Sequence, residues 1–293
     1  MRLKISRVSS TFQFNWSVTF RLLVFALIMG IHALNAGEAQ SRIPSPNSIG
    51  KTSLLCAHAH NDYEHTKPLF DALAQGFGSV EPDIWLVDGK LLVAHNLEDV
   101  KPERTLQALY LDPLRELLRR NGGRVFSNEA TFTLLIDVKS AAEPTYAALH
   151  ALLQDYKDLL TTYTATNVIT NSLTIIISGN RATDIVAAQP LRYVAIDGRL
   201  AEMSTNLPPR LVPLISENWS QHFKWRGIGT FPEDQKHQLQ EMVERVHREG
   251  RRIRFWAIPD TMVGWRELQS AGVDVIGTDD LAGLAKFLHS YNP

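Results

Sequence analysis

The sequence predicts an α/β fold, a single (β/α)8 TIM-type barrel, from three observations. Eight short apolar runs of β type recur along the chain, amphipathic segments fall between most of them, and the roughly 250 residues that carry them are a common size for one such barrel. The first run, Leu54 to His60, follows a polar stretch rich in Ser, Pro and Asn. The second, Ser79 to Leu86, leads into Asp88-Gly89-Lys90, a tight-turn signal that predicts a hairpin with Leu91 to His95. The third is Phe132 to Lys139. Leu173 to Ser178, Tyr193 to Asp197, Leu211 to Ser216, Arg252 to Ile258 and Val273 to Thr278 complete the eight. Pro68 to Gln75, Tyr146 to Tyr156, Asp234 to Glu249 and Trp265 to Ala271 have helical periodicity, and Leu281 to His289 predicts a closing helix.

The N-terminus reads differently. Arg2, Lys4, Arg7 and Arg21 precede the apolar run Leu22 to Ile31, and small residues follow at Ala36, Gly37 and Ala39. Residues 1–39 are therefore expected to be a signal peptide and the chain to be exported, periplasmic or secreted. The apolar run is short of the ~20 residues of a membrane span, and an uncleaved anchor is the alternative because the basic region is long. Residues 40–51 read as a linker, and 52–293 as the barrel domain. Cys56 is the only cysteine, so no intramolecular disulfide forms.

Of 293 residues, 44% are hydrophobic and 21% charged, a composition able to bury a large core. The net charge of −1 comes without a long basic run, which excludes the electrostatic footprint of a nucleic-acid binder. A monomer is expected.

In such barrels the reactive groups stand at the C-terminal ends of the strands. The first run ends in His58-Ala59-His60-Asn61-Asp62, and the second carries Glu81-Pro82-Asp83, whose i, i+2 spacing directs both carboxylates to one face. The hairpin returns to His95, and the third run adds Asp137 and Lys139, again two apart. Three carboxylates in one place repel unless a cation lies between them, and an all-oxygen set suits Mg2+ or Ca2+ better than zinc. The histidines then remain free for proton transfer, and Lys139 adds positive charge. Phosphodiester cleavage needs that combination: a base, an acid and cations for the non-bridging oxygens.

With His60, Glu81, Asp83 and His95 in this order, the chain resembles the glycerophosphodiester phosphodiesterase and phosphatidylinositol phospholipase C-like superfamily. Phe255-Trp256-Ala257-Ile258-Pro259 and Ala271 to Asp279 are similar to its last two strands. The resemblance implies a TIM barrel, a metal held by Glu81, Asp83 and Asp137, and His60 and His95 as acid and base. It also implies a small-molecule or lipid phosphodiester substrate, with Lys139, Trp256 and Asn61 at the substrate and a membrane surface as a transient contact. The glycerophosphodiesterases usually follow the first His with Arg and Gly, where this chain has Asn61 and Asp62. His60-Asn61-Asp62-Tyr63, with Tyr110 to Leu114, looks closer to the mitochondrial-inheritance-type subgroup, and Asp137-x-Lys139 with Trp256 is similar to sphingomyelinase D. The headgroup stays open.

Two other functions compete. His58-x-His60 also suits an amidohydrolase or PHP-type zinc hydrolase, in which both imidazoles bind metal, although the later strand ends offer no further histidines. An exported binding protein with a vestigial site is the non-enzymatic alternative. Asp279 and Asp280 are expected to cap the closing helix.

Overall fold

Runs of Val, Ile and Leu become buried on both faces only where parallel strands have helices outside and packed side chains inside, and the chain meets that requirement by closing a barrel. In the computed structural model, residues 53–127, 130–205 and 207–291 are described. The chain divides into units Met1–Ile43 and Pro44–Pro293, and every described residue lies in the second. The expected signal peptide (1–39) and linker (40–51) lie outside the described residues.

Numbered along the chain, the strands are β1 (Leu54–Ala59), β2 (Phe77–Val80), β3 (Asp83–Val87), β4 (Lys90–Val93), β5 (Phe132–Val138), β6 (Thr162–Thr164), β7 (Val168–Ile169), β8 (Leu173–Gly179), β9 (Leu191–Arg192), β10 (Val194–Gly198), β11 (Leu214–Asn218), β12 (Arg252–Trp256) and β13 (Val275–Thr278). Eight of them form the closed parallel wall, in the order β2-β1-β13-β12-β11-β10-β8-β5, and pairing of β2 with β5 completes the ring. Helices Phe70–Ala74, Ala142–Gln154, Glu233–Arg248, Met262–Ser270 and Leu281–Tyr291 correspond to the expected ones. Helix Asp112–Arg120 and the small antiparallel sheet β7-β6-β9 were not expected from the sequence. Among the described residues no helix is long and apolar enough to cross a membrane.

Strand alternation sorts the interior into layers. Leu135, Ile176, Ala195, Leu214 and Val275 form a buried apolar cluster with Tyr163 from β6. Two residues further along four of these strands, on the same face, stand Asp137, Ser178, Asp197 and Ser216. The barrel therefore changes from apolar to polar toward the C-terminal ends of its strands, which makes that end the one able to carry chemistry.

The second expected strand, Ser79 to Leu86, is broken at Glu81-Pro82, because Pro82 has no N–H to give to the ladder. Both halves nevertheless lie along β5 in one register, Val80 opposite Leu134 and Asp83 opposite Asp137. The Pro82 carbonyl still accepts the Asp137 N–H at 2.9 Å. The expected hairpin is present as β3 and β4, with Asp88 (φ 48°) and Gly89 (φ 76°) as its two-residue turn. The strand expected at Leu211 begins only at Leu214, past Pro213.

The loop after β11 is anchored by aromatics. The Trp219 ring lies 4.2 Å from Phe223, 5.6 Å from Phe231 and 5.7 Å from Phe255, measured between centroids, and Phe231 is also 4.8 Å from Trp225. Phe231 is buried. Phe231→Ala should cost about 3–5 kcal/mol, seen as a lower urea midpoint with an unchanged slope, and an unchanged midpoint would refute the packing role given to this ring.

Candidate active site

The sequence-predicted groups meet at the polar end of the barrel. His60 follows β1 and its backbone N–H binds the Thr278 carbonyl of β13 at 3.1 Å, which ties the first and last strand ends together. Glu81 and Asp83 flank Pro82, and Asp137 is the register partner of Asp83. One carboxylate oxygen from each of Glu81, Asp83 and Asp137 lies within 4.8 Å of the others. Lys139 Nζ is 2.6 Å from Asp137 Oδ2 and 3.0 Å from Asp83 Oδ2. His95 follows β4 and its Nδ1 is 3.1 Å from Asp83 Oδ2.

Trp256 ends β12 and is 40% exposed, so it stands on the same rim. Asn61 is different. It holds the left-handed conformation (φ 46°, ψ 40°), which asparagine tolerates, and its amide oxygen accepts the Tyr63 hydroxyl at 3.0 Å, so its visible work is to shape the turn.

Four groups outside the expected acid, base, ligand and substrate set complete the arrangement. Arg254, an inward residue between buried Ile253 and Phe255, donates to Glu81 Oε2. His58 donates its Nε2–H to the same oxygen at 2.8 Å, while its Nδ1 lies 2.8 Å from Ser79 Oγ. Tyr63 lies 2.8 Å from Asp83 Oδ2 and 3.1 Å from His95 Nδ1. Asp279 was read as a cap, but Asp280 does the capping, through the Gly283 N–H at 2.9 Å. Asp279 Oδ1 instead holds His60 Nδ1 at 2.8 Å. That pair spans 219 residues, so no local pattern announces it. A charge placed inside an apolar strand, as Arg254 is, was the one available signal, because such a charge requires a partner.

Burial alone would raise the Glu81 pKa, but the Arg254 charge and the His58 hydrogen bond outweigh it and hold the carboxyl far below the usual range. Burial lowers His58 to about 4, with Arg254 adding to the effect, so this imidazole is neutral. Burial also lowers the affinity of His60 for a proton, yet the Asp279 hydrogen bond and the Glu81 charge more than compensate, and its pKa is raised. Asp83 is raised by burial, only partly countered by Lys139. Burial opposes the charge of Lys139, but Asp137 and Asp83 overcome it and raise its pKa.

The donor set fits a hard divalent cation. Asp83 Oδ1 and Asp137 Oδ1 are buried with no hydrogen-bond partner, which for carboxylates is costly unless a cation supplies one. Space for the second oxygen depends on Gly179, where a Cβ would stand 1.9 Å from it. His58, with both ring nitrogens already bonded, is not available to ligate zinc alongside His60.

The Tyr63 turn rests on a buried acid. Asp62 Oδ2 accepts the Leu69 N–H at 2.6 Å and the Tyr110 hydroxyl at 2.9 Å, joining the segment after β1 to the one before helix Asp112–Arg120.

Comparison with known proteins gives a consistent result. Residues 50–197 match a family described as AIM6-like phosphodiesterase domain. Altered inheritance of mitochondria protein 6 of Eremothecium gossypii is 31% identical over 83% of this chain and 73% of its own length. The Kluyveromyces lactis protein of that name is 26% identical over 90% and 79%. Among solved structures, a glycerophosphoryl diester phosphodiesterase from Parabacteroides distasonis superposes with a TM-score of 0.51 at 12% identity, covering 86% of this chain and 94% of that one, which establishes likeness of fold.

Burial pushes Asp62 up to about 7 against the lowering effect of its two hydrogen bonds. Between the ordinary carboxylate pKa and 7 the folded chain holds a proton that the unfolded chain has lost, so this group's contribution is present at low pH and is lost as pH rises through 7. Relative to Asp62→Asn, the wild type should lose on the order of 3 kcal/mol of unfolding free energy between pH 4.5 and 7.5. Parallel pH profiles for the two proteins would sink this assignment.

Proposed function

We propose, for a chain that belongs to the AIM6-like phosphodiesterase family, that it cleaves a glycerophosphodiester or (lyso)phospholipid-type substrate by His60 and His95 acid–base catalysis, with one Mg2+ or Ca2+ held by Glu81, Asp83 and Asp137. That it is a phosphoric diester hydrolase on a TIM-type barrel follows from the family and the fold. The finer reading is carried by one observation. Around a carboxylate trio with unpartnered oxygens, two imidazoles each have Nδ1 held by a carboxylate, His60 by Asp279 and His95 by Asp83. A carboxylate that fixes one ring nitrogen sets the tautomer and leaves Nε2 for proton transfer.

The cation, when bound, would neutralise charge on the non-bridging phosphate oxygens and favour ionisation of the attacking hydroxyl. The chain's own groups supply the rest. One imidazole takes the proton of the attacking oxygen as it bonds to phosphorus, and the other gives a proton to the departing oxygen as its P–O bond breaks. Asp279 orients His60 and favours its charged form. Lys139, held at the trio by Asp137 and Asp83, carries positive charge that can face the substrate's phosphate. Arg254 and His58 fix Glu81 through one oxygen, Oε2, and leave Oε1 out of both contacts. Trp256, exposed on the rim, offers an apolar wall to the substrate.

A zinc amidohydrolase reading is disfavoured, because His58 is neutral and bonded through both nitrogens and the carboxylate trio includes no imidazole. A vestigial site is disfavoured by the presence of every acid, base and candidate ligand.

Chelation should abolish turnover of a phosphodiester and Mg2+ or Ca2+ should restore it; Asp83→Asn should weaken cation affinity, measured by titration calorimetry, more than it lowers the melting temperature. Full activity in excess chelator with no metal by elemental analysis would exclude the cation. His60→Ala and His95→Ala should each lose roughly 10²–10⁴ in kcat on a natural diester, and the double variant less than the product of the two. A nitrophenyl leaving group should rescue the variant lacking the acid and leave the other impaired, which assigns the roles. If both single variants keep the wild-type rate on both substrates, the histidine assignment is wrong.

A further inference from the structure

His95 is the more exposed of the two candidate proton carriers, its side chain 52% exposed against 35% for His60. It lies in the exposed segment after β4, so burial does not fix its ring. An imidazole that exchanges a proton with a bound diester has to present one nitrogen at one place, and freedom of the side chain works against that. Two partners meet its Nδ1, each at 3.1 Å: Asp83 Oδ2 from β3 and Tyr63 Oη from the turn after β1. Tyr63, unlike the imidazole, is buried.

The turn that carries Tyr63 is tied to its surroundings. The Asp62 N–H donates to the Glu81 carbonyl at 3.1 Å, the buried Asp62 carboxylate accepts the Leu69 N–H and the Tyr110 hydroxyl, and Arg104 donates to the Tyr63 carbonyl at 2.6 Å. The proton count then fixes the roles at the hydroxyl. As a carboxylate Asp83 only accepts, so its contact with His95 requires a hydrogen on Nδ1. That N–H points at two acceptors, Asp83 Oδ2 and the Tyr63 oxygen, while the one phenolic proton goes to Asp83 at 2.8 Å or to Asn61 Oδ1 at 3.0 Å. Asp83 Oδ2 is also met by Lys139 at 3.0 Å, which puts three donors on one oxygen. Its hold on the imidazole is shared accordingly, and the tyrosine oxygen supplies the second acceptor.

We propose that Tyr63 is a positioning residue for His95: its hydroxyl oxygen accepts from His95 Nδ1–H and, together with Asp83, locks the ring plane and the Nδ1–H tautomer, leaving Nε2 as the nitrogen that meets the substrate. The two acceptors come from separate segments, β3 and the turn after β1, so together they define a plane that either alone leaves free to rotate. Tyr63 acts through the imidazole and needs no contact with the diester. The proposal deepens the reading of His95 as a proton-transfer group and rests on it for its effect on rate. The tautomer is measured without turnover, so the two can fail separately.

The test is Tyr63→Phe in the full chain, which keeps the ring and removes the oxygen. Two-bond 1H–15N spectra of the neutral imidazoles in Mg2+ buffer, with His95 identified by its absence in His95→Ala, should show one tautomer protonated on Nδ1 in the wild type. Tyr63→Phe should show a mixture of both. On a phosphodiester that the wild type turns over, kcat of Tyr63→Phe should fall about 10- to 100-fold while KM stays within about twofold. In the His95→Ala background the same change should cost less than about twofold more, because the group it acts through is gone. An unaltered tautomer in Tyr63→Phe overturns the proposal, and so does a wild-type His95 protonated on Nε2, a result that needs no variant to fold. An equal loss of rate in both backgrounds also overturns it; if Mg2+ affinity by calorimetry falls in step, the hydroxyl serves Asp83 instead. His95→Ala at the wild-type rate removes the acid–base reading, and the spectra then decide on their own whether Tyr63 holds the ring.

Discussion

Three carboxylates inside one 4.8 Å group are the constraint on which the rest of this structure depends. Removing even one ion from water costs several kcal/mol, and like charges at this range add to the cost. The chain meets it with two counter-charges and two neutral hydrogen-bond partners. Arg254 comes from β12 and Lys139 from the end of β5, while hydrogen bonds arrive from His58 on β1 and Tyr63 beyond it. No two adjacent strands could gather all of these. Only a ring, closed by pairing of β2 with β5, brings the first, third and penultimate segments of the fold to one place.

The compensation is uneven, and the unevenness is informative. Glu81 is well provided for on one oxygen, whereas Asp83 and Asp137 each retain a buried oxygen with nothing to bind. Lys139 occupies the other oxygen of both aspartates, so the positive charge available inside the protein satisfies one side of the pair. Below this level the interior is lined by apolar side chains, Leu135, Ile176 and Leu214 among them, which lower the local dielectric beneath the charges. The same low dielectric makes every remaining interaction at the mouth stronger.

Much of this was legible in the sequence because it depends on local period. Seven of the eight expected barrel runs lie close to the strands found, and the i, i+2 spacing of Asp137 and Lys139 does place their side chains together. Glu81 and Asp83 also reach a common site, although Pro82 interrupts the strand on which that reading depended. What could not be read was long-range. Asp279 looks like a helix cap in its own segment, and only closure of the ring puts it against His60. Arg254 looks like one of several arginines near β12, and its role appears only when Glu81 is seen across the barrel. Tyr63 and Asp62 lie in a short turn whose partners, Asp83 and Tyr110, come from later elements.

The β3–β4 hairpin works as a molecular ruler. Its two-residue turn fixes Val87 opposite Lys90 and Ile84 opposite Val93, and therefore sets how far beyond the last pair His95 emerges relative to Asp83. The ends of this ruler are a candidate metal ligand and a candidate proton carrier, so its length is a chemical dimension of the site. Residue substitutions at Asp88 and Gly89 change how easily the turn forms, but an inserted or deleted residue would slide one arm against the other and reverse which face each side chain occupies. Relatives that keep this chemistry should therefore tolerate variation of letters in the turn far better than variation of its length, an indel rule imposed by the pleat.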